Sequence, residues 1–335
     1  PGTGKTSMAL RFIVEEELAS SATPSSSVLL LSYTHRAVDE MCEMLSSAGI
    51  PFIRMGSEYS CDPRFRSYLL ENVVEETPRL EHIRQRIEQT QVFVATTSTL
   101  QSRPHIFTLK RFSLAVVDEA SQILEPNIIG LLCASAPFRN AKEGETDADG
   151  CARPAIERFV LIGDYKQLPA VVQQNGAQAA VQDPLLEAIG LTDCRLSLFQ
   201  RLIRWEQQQG RTRFIGTLAR QGRMHPEVAA FACERFYAEE GLDIVPCPHQ
   251  KVTSLGYNLQ AEDELDRLLQ SHRLLFFASP DSRKPGLSDK ANPAEACIVA
   301  HLLARIRRFY GDRFEAHRTV GVIVPYRNQI AMIRR

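Results

Sequence analysis

The sequence has almost no net charge: 39 Lys and Arg stand against 40 Asp and Glu over 335 residues, a formal charge of −1. Bulk charge therefore names no partner, and contact with nucleic acid or a membrane has to come from local patches. Long apolar runs are missing as well. None approaches the ~18–20 residues needed to cross a bilayer, so an integral membrane protein is not expected. The chain does not open on a basic stretch followed by an apolar one, so no secretory leader is expected. None of the eight cysteines forms a Cys-x-x-Cys pair, and the closest two, Cys233 and Cys247, are fourteen residues apart. That spacing suits neither zinc nor an iron–sulfur cluster. Dispersed free thiols fit a reducing intracellular compartment, cytoplasmic or nuclear. No repeat of solenoid length is present.

What is there is an ordinary globular composition, 44% hydrophobic and 24% charged, long enough for about two domains. Apolar runs alternate with helical patterns, the signature of a parallel sheet covered by helices. The runs at 28–32, 91–95, 114–118 and 159–163 (VLLLS, QVFVA, LAVVD, FVLIG) are apolar throughout, as expected of strands buried on both faces. A second set follows at 273–278 (RLLFFA) and 319–324 (TVGVIV), with a helix between them at 226–237 that carries Val228, Phe231, Ala232 and Phe236 on one face. The fold class is α/β. The first domain is expected over 1–212, with a charged helical insertion at about 57–90 and a polar loop at about 139–155, and the second over 213–335. The break falls in the polar stretch near 205–222.

The chain opens PGTGKT, six of the eight positions of a phosphate-binding loop, G-x-x-x-x-G-K-[ST], whose first Gly would lie two residues before Pro1. Gly2, Thr3 and Gly4 let the backbone curl so that successive N–H groups face phosphate oxygens. Lys5 is placed to reach the β- and γ-phosphates, and Thr6 to ligate Mg²⁺. A helix from Ser7 adds its positive end. Downstream, LAVVDEASQ ends an expected strand in Asp118 and Glu119, where one carboxylate can hold Mg²⁺ and the next can orient a water. FVLIGDYKQLP ends another in Gly163 and Asp164, with Gln167 just beyond, within reach of a γ-phosphate or its water. The strand that feeds the phosphate loop is expected near the centre of the sheet.

With these motifs in this order, and with THRAVDEM, ATTS, SLFQRL, RQGRMHP and VGVIVPYRNQ between and after them, the chain resembles the superfamily 1 helicases, in the branch of the nonsense-mediated-decay helicase and the replication helicase–nuclease. The resemblance implies a P-loop NTPase built from two RecA-like parallel-sheet domains, using ATP and Mg²⁺ to move along single-stranded DNA or RNA, 5′→3′. A non-hydrolysing ATP-gated clamp and a translocase that remodels complexes without separating strands are its alternatives. Carried over by resemblance, Lys5 and Thr6 bind phosphate and Mg²⁺, Asp118 holds the metal, Glu119 positions water, Gln167 senses the γ-phosphate, and Arg223 reaches it from the second domain. Thr34, Thr96 and Thr97 would meet the nucleic-acid backbone from the first domain, and Pro325 and Tyr326 from the second. Six arginines within 201–225 and eight within 301–335 support a polyanion partner. Three positions depart from the family's pattern: His35 stands for Asn, Val324 for Thr, and Gly222 for the Tyr that would stack on adenine. The last departure predicts relaxed base preference. The family's V-D-x-x-Q-G-x-[ED] and T-R-A motifs do not occur before Arg335, and a longer protein is expected.

Overall fold

The computed structural model describes residues 2–20, 26–75, 79–135, 154–238, 245–246, 257, 259–279 and 290–335. Most of the expected polar loop at 139–155, and two of the cysteines, lie outside them. The chain divides into two units, Pro1–Arg223 and Met224–Arg335, where the sequence reading put the break at 212/213.

In the first unit, five apolar runs pair as parallel strands: β1 (Val28–Ser32), β2 (Phe52–Arg54), β3 (Val92–Thr96), β4 (Phe112–Val117) and β5 (Ile156–Leu161), in the order β2-β3-β1-β4-β5. Four of them fall on the expected runs; β2, only three residues long, carried no usable pattern. Side chains along a strand point to alternate faces, and the register puts Leu29 beside Phe93 and Ala115, and Leu30 beside Val94 and Val116. One face therefore buries Leu29, Leu31, Phe93, Ala95, Ala115 and Val117, and the other Val28, Leu30, Val92, Val94, Leu114 and Val116. Each fully buried side chain of this size is worth roughly 1.5–3 kcal/mol against exposure.

Helices α1 (Leu10–Ser20) and α2 (His35–Ser47) cover the second of these faces through Leu10, Val14, Val38, Met41 and Leu45. Helices α3 (Leu80–Gln89), α4 (Thr97–Ser102) and α5 (Leu198–Gln208) contribute Ile87, Leu100 and Leu198 to the other. The described residues of 57–90 lie largely in short helices, and the segment is charged. It is tied down by Arg54, fully buried, whose guanidinium donates to Asp39 (2.8 Å) and to the Ser60 carbonyl (3.2 Å). Only β5 departs from two-sided burial: Glu157, Arg158 and Phe159 are exposed, whereas β2, at the opposite edge, is buried throughout.

In the second unit, α6 (Pro226–Ala232) runs on through a wide helical turn to Tyr237, as expected, but Phe231 and Phe236 pack edge to face while half exposed, so that face is not a core face. Helices α7 (Glu264–Ser271), α8 (Pro293–Tyr310) and α9 (Arg327–Ile333) complete it. Asp266, fully buried, is gripped by Arg305 (2.5 Å) and Arg308 of α8. The runs at 273–278 and 319–324 are not strands. Neither finds a ladder partner among the described residues, and a lone extended run has nothing to satisfy its N–H and C=O groups. Instead Phe277 and Val322–Val324 line one groove of about 870 Å³ with Ile298 and Val299 of α8, while Phe276 and Ile323 are almost fully exposed.

Candidate active site

Gly2 and Gly4 adopt positive φ, 72° and 77°, as a curled phosphate loop requires. The loop passes into helix earlier than expected: Met8 and Ala9 both donate to the Gly4 carbonyl at 3.0 Å, and Lys5–Ala9 form a wide turn that continues into α1. At Gly2 the demand for glycine is double. Its φ is left-handed, and a Cβ there would stand 2.3 Å from Arg223 Cβ. The backbone N–H of Gly222 donates to the Gly2 carbonyl at 2.8 Å. Arg223 thus packs on the phosphate loop, at the last position of the first unit.

β4 delivers Asp118 to the same point. Thr6 Oγ1 donates to Asp118 Oδ2 at 2.5 Å, and the other carboxylate oxygen accepts the Glu119 N–H at 2.9 Å. Asp118 is buried. A hydroxyl and a carboxylate facing each other are the hard oxygen donors Mg²⁺ takes from protein, its remaining positions going to phosphate and water. The pair fits that ion. Among the described residues no group of three or more His, Cys, Asp or Glu gathers to hold a metal by protein alone.

Glu119 is the one non-glycine with positive φ among the described residues, at 53°, and such strain concentrates at functional sites. Burial pushes its carboxyl above the usual range and neighbouring Asp118 adds to this, while Lys5 and Gln122 pull it back. Gln122 Nε2 donates to Glu119 Oε2 at 3.1 Å. From the end of β5, Gln167 Nε2 donates to Asp164 Oδ2 at 2.6 Å, and Asp164 N–H donates to the Ser121 hydroxyl at 3.2 Å. The structure therefore gathers the phosphate loop, Asp118, Glu119, Gln167 and Arg223 in one unit. Ser121, Gln122 and Asp164 were missed from sequence although they lie inside the quoted motifs.

The strand-contact residues divide. Thr34 is exposed, and its hydroxyl caps α2 by accepting the Ala37 N–H at 3.2 Å. Thr96 and Thr97 are buried, and the Thr96 hydroxyl caps α4, accepting from Thr99 N–H at 3.1 Å. Neither side chain is presented to a ligand, and the exposed hydroxyl of this turn is Ser98. The cause is local: a Thr directly ahead of a helix satisfies the helix first. Pro325 is exposed, and Tyr326 is half exposed with the Lys290 ammonium 5.4 Å from its ring centre. The arginine-rich stretches are partly engaged within the fold: Arg201 by Glu125, Arg211 by Glu206, Arg305 by Asp263 and Asp266, Arg308 by Glu262 and Asp266.

Two family models, each described as an AAA domain, match residues 77–175 and 194–335. Over 348 residues the chain is 28% identical to the DNA replication ATP-dependent helicase/nuclease DNA2 of Mus musculus, covering 99% of the chain and 28% of that protein. It is 26% identical to the human protein of the same name over 92% of the chain and 26% of the relative. It is also 26% identical to the DNA replication ATP-dependent helicase/nuclease JHS1 of Arabidopsis thaliana, over the whole chain and 22% of the relative. The chain spans about a quarter of the length of these relatives.

Proposed function

We propose that this chain, which belongs to the superfamily 1 helicases in the branch of the replication helicase–nuclease, hydrolyses ATP to drive 5′→3′ movement along single-stranded DNA and so separates strands. The observation that carries the reading is the contact of Thr6 with Asp118, with Glu119 beside them on a strained turn.

The chemistry follows from these side chains. The N–H groups of Gly2–Lys5 and the Lys5 ammonium hold the phosphates. Thr6 and Asp118 would hold Mg²⁺, which would supply positive charge against the phosphates. Glu119 holds the attacking water in line as a carboxylate. Gln167 touches the γ-phosphate oxygens, and Arg223, already seated on the loop, places positive charge where it develops in transfer. For the strand, Thr34, Ser98, Pro325 and Tyr326 offer hydroxyl, backbone and ring contacts that ignore sequence, as a motor stepping along any strand requires. With no ring at Gly222, purine choice has no stacking platform at that position, so GTP is expected to serve nearly as well as ATP. The six described cysteines are all free, which supports a reducing intracellular compartment.

The test is hydrolysis by the protein with single-stranded DNA and RNA side by side, using ATP and GTP, together with unwinding of duplexes bearing 5′ or 3′ tails. Stimulation by DNA and unwinding from 5′ tails support the reading. No strand stimulation overturns it; stimulation without unwinding leaves a remodelling translocase, and stimulation by RNA alone reassigns the substrate.

A further inference from the structure

Two loops that meet the γ-phosphate in this reading, one carrying Glu119 and one carrying Gln167, are joined by side chains that the chemistry above does not use. The Ser121 side chain is buried, and its hydroxyl accepts the Asp164 N–H at 3.2 Å. The Asp164 carboxylate accepts from Gln167 Nε2 at 2.6 Å and from the Lys166 N–H at 3.1 Å. One residue before Ser121, Ala120 N–H donates to the Ile162 carbonyl at 2.8 Å. One residue after it, Gln122 holds Glu119. The two loops are as close as backbone permits: a Cβ on Gly163 would stand 3.0 Å from Ser121 N and 3.3 Å from the Phe199 ring.

The geometry points to Ser121 and Asp164 as positioning residues that lock the turn carrying Glu119 to the loop carrying Gln167, so that the water-orienting carboxylate and the γ-phosphate sensor shift as one body. The inference rests on the reading of Glu119 and Gln167 given above. A glutamine on a loop samples several rotamers. A hydrogen bond to an ionised carboxylate is about twice as strong as a neutral one, and it selects a single rotamer before the nucleotide arrives, which is how a supporting contact contributes to turnover. Asp164 does this for Gln167, and its own backbone is registered by Ser121 on the neighbouring turn. Loss of γ-phosphate felt at Gln167 is thereby transmitted to Glu119 through three contacts: Gln167 with Asp164, Asp164 with Ser121, and Gln122 with Glu119.

Strand-stimulated hydrolysis and ATP affinity are the readouts. Ser121→Ala is expected to lower kcat about three- to tenfold while KM for ATP stays within about twofold, because a neutral hydrogen bond is lost and no phosphate contact is touched. Ser121→Thr, which keeps the hydroxyl, is expected to recover most of the loss. Asp164→Asn keeps both the volume and an acceptor oxygen, and is expected to lose less than Asp164→Ala. Residues acting as one unit do not add, so the Ser121→Ala, Gln167→Ala double variant is expected to be no slower than Gln167→Ala alone. Additive losses, or a raised KM with unchanged kcat, overturn the lock. Glu119→Gln separates the two ways of failing. If it hydrolyses ATP at the parent rate, the reading of the site falls and the lock with it. If it is inactive while Ser121→Ala is unaffected, only the lock falls.

Discussion

The same sequence signature has two outcomes in this molecule. In the first unit, Val28–Ser32 and its neighbours form a parallel ladder with every β1 side chain buried. In the second, 273–278 and 319–324 are equally apolar, yet they stay outside any ladder among the described residues and leave Phe276 and Ile323 exposed. An apolar run records a need for burial; which strands will pair with it is not written in the run. What holds the second unit is of another kind: Asp263 and Asp266 gripped by arginines of α8, and a reciprocal pair in which Asn292 N–H donates to Gln329 Oε1 (2.6 Å) and Gln329 Nε2 to the Asn292 carbonyl (3.0 Å).

The largest expected effect tests whether the chemistry resides in the first unit. Glu119→Gln keeps the side-chain volume and removes the carboxylate, and turnover is expected to fall ~10²–10⁴-fold with ATP binding retained. Lys5→Ala is expected to lose binding as well. Hydrolysis near the parent rate in the glutamine variant would remove Glu119 from its role.

Next in size is a paired core test of the contrast itself. Leu30, fully buried in β1, is expected to cost ~2–5 kcal/mol on conversion to alanine. Ile323→Ser, at a side chain 98% exposed, is expected to stay within about 0.5 kcal/mol. Denaturant midpoints decide. If the two losses are alike, Ile323 is buried in the working protein and the contrast between the units is broken.

These pairs also show what was legible in the sequence. β1, β3 and β4 were readable because strands buried on both faces are apolar without alternation, and β5 from the apolar run that closes it; Lys5, Thr6, Asp118, Glu119 and Gln167 stood out because they sit at the ends of these elements in phosphate-site motifs. The link between Ser121 and Asp164 was not legible, since 43 residues separate them; Gly163 was the one local sign that two backbones had to approach there. Thr96 is buried and its hydroxyl caps α4, a local demand that a motif reading passes over.

A smaller effect locates strand binding in the second unit. Tyr326→Ala is expected to weaken affinity for single-stranded DNA by ~1–3 kcal/mol if the ring stacks on a base, while ATP affinity in the absence of DNA is unchanged. Fluorescence anisotropy with a labelled oligonucleotide measures the first quantity and nucleotide titration the second. Unchanged DNA affinity would leave Tyr326 a partner of Lys290 alone.

The smallest effect is a difference in how the two units answer pH. In the first, burial lowers the Lys110 ammonium from 10.5 to about 8, with Glu88 opposing, while its Nζ caps α3 by donating to the carbonyls of Ile87 (3.1 Å) and Glu88 (2.8 Å). Between about pH 8 and 10.5 the unfolded chain binds a proton that the fold releases, so stability rises with pH across that window. In the second unit it is the charged form of Asp266 that is favoured, and the window lies in acid. Burial raises its carboxyl, but the Glu262 N–H, Arg305 and Arg308 outweigh this and hold it below its usual 3.8; Asp263 is lowered too, by its hydrogen bond from Arg305 and by the Asp266 N–H. Their stabilisation is complete above the ordinary carboxylate range and is lost as pH falls through the lowered values. Urea midpoints against pH, for the parent, Lys110→Met and Asp266→Asn, separate the two. The parent is expected to gain on Lys110→Met from about pH 8 upward, and to lose its advantage over Asp266→Asn only below about pH 4. A parent that gains nothing on Lys110→Met in alkali would mean that the α3 cap is open to water, and that the first unit is less tightly closed at this corner than at its sheet.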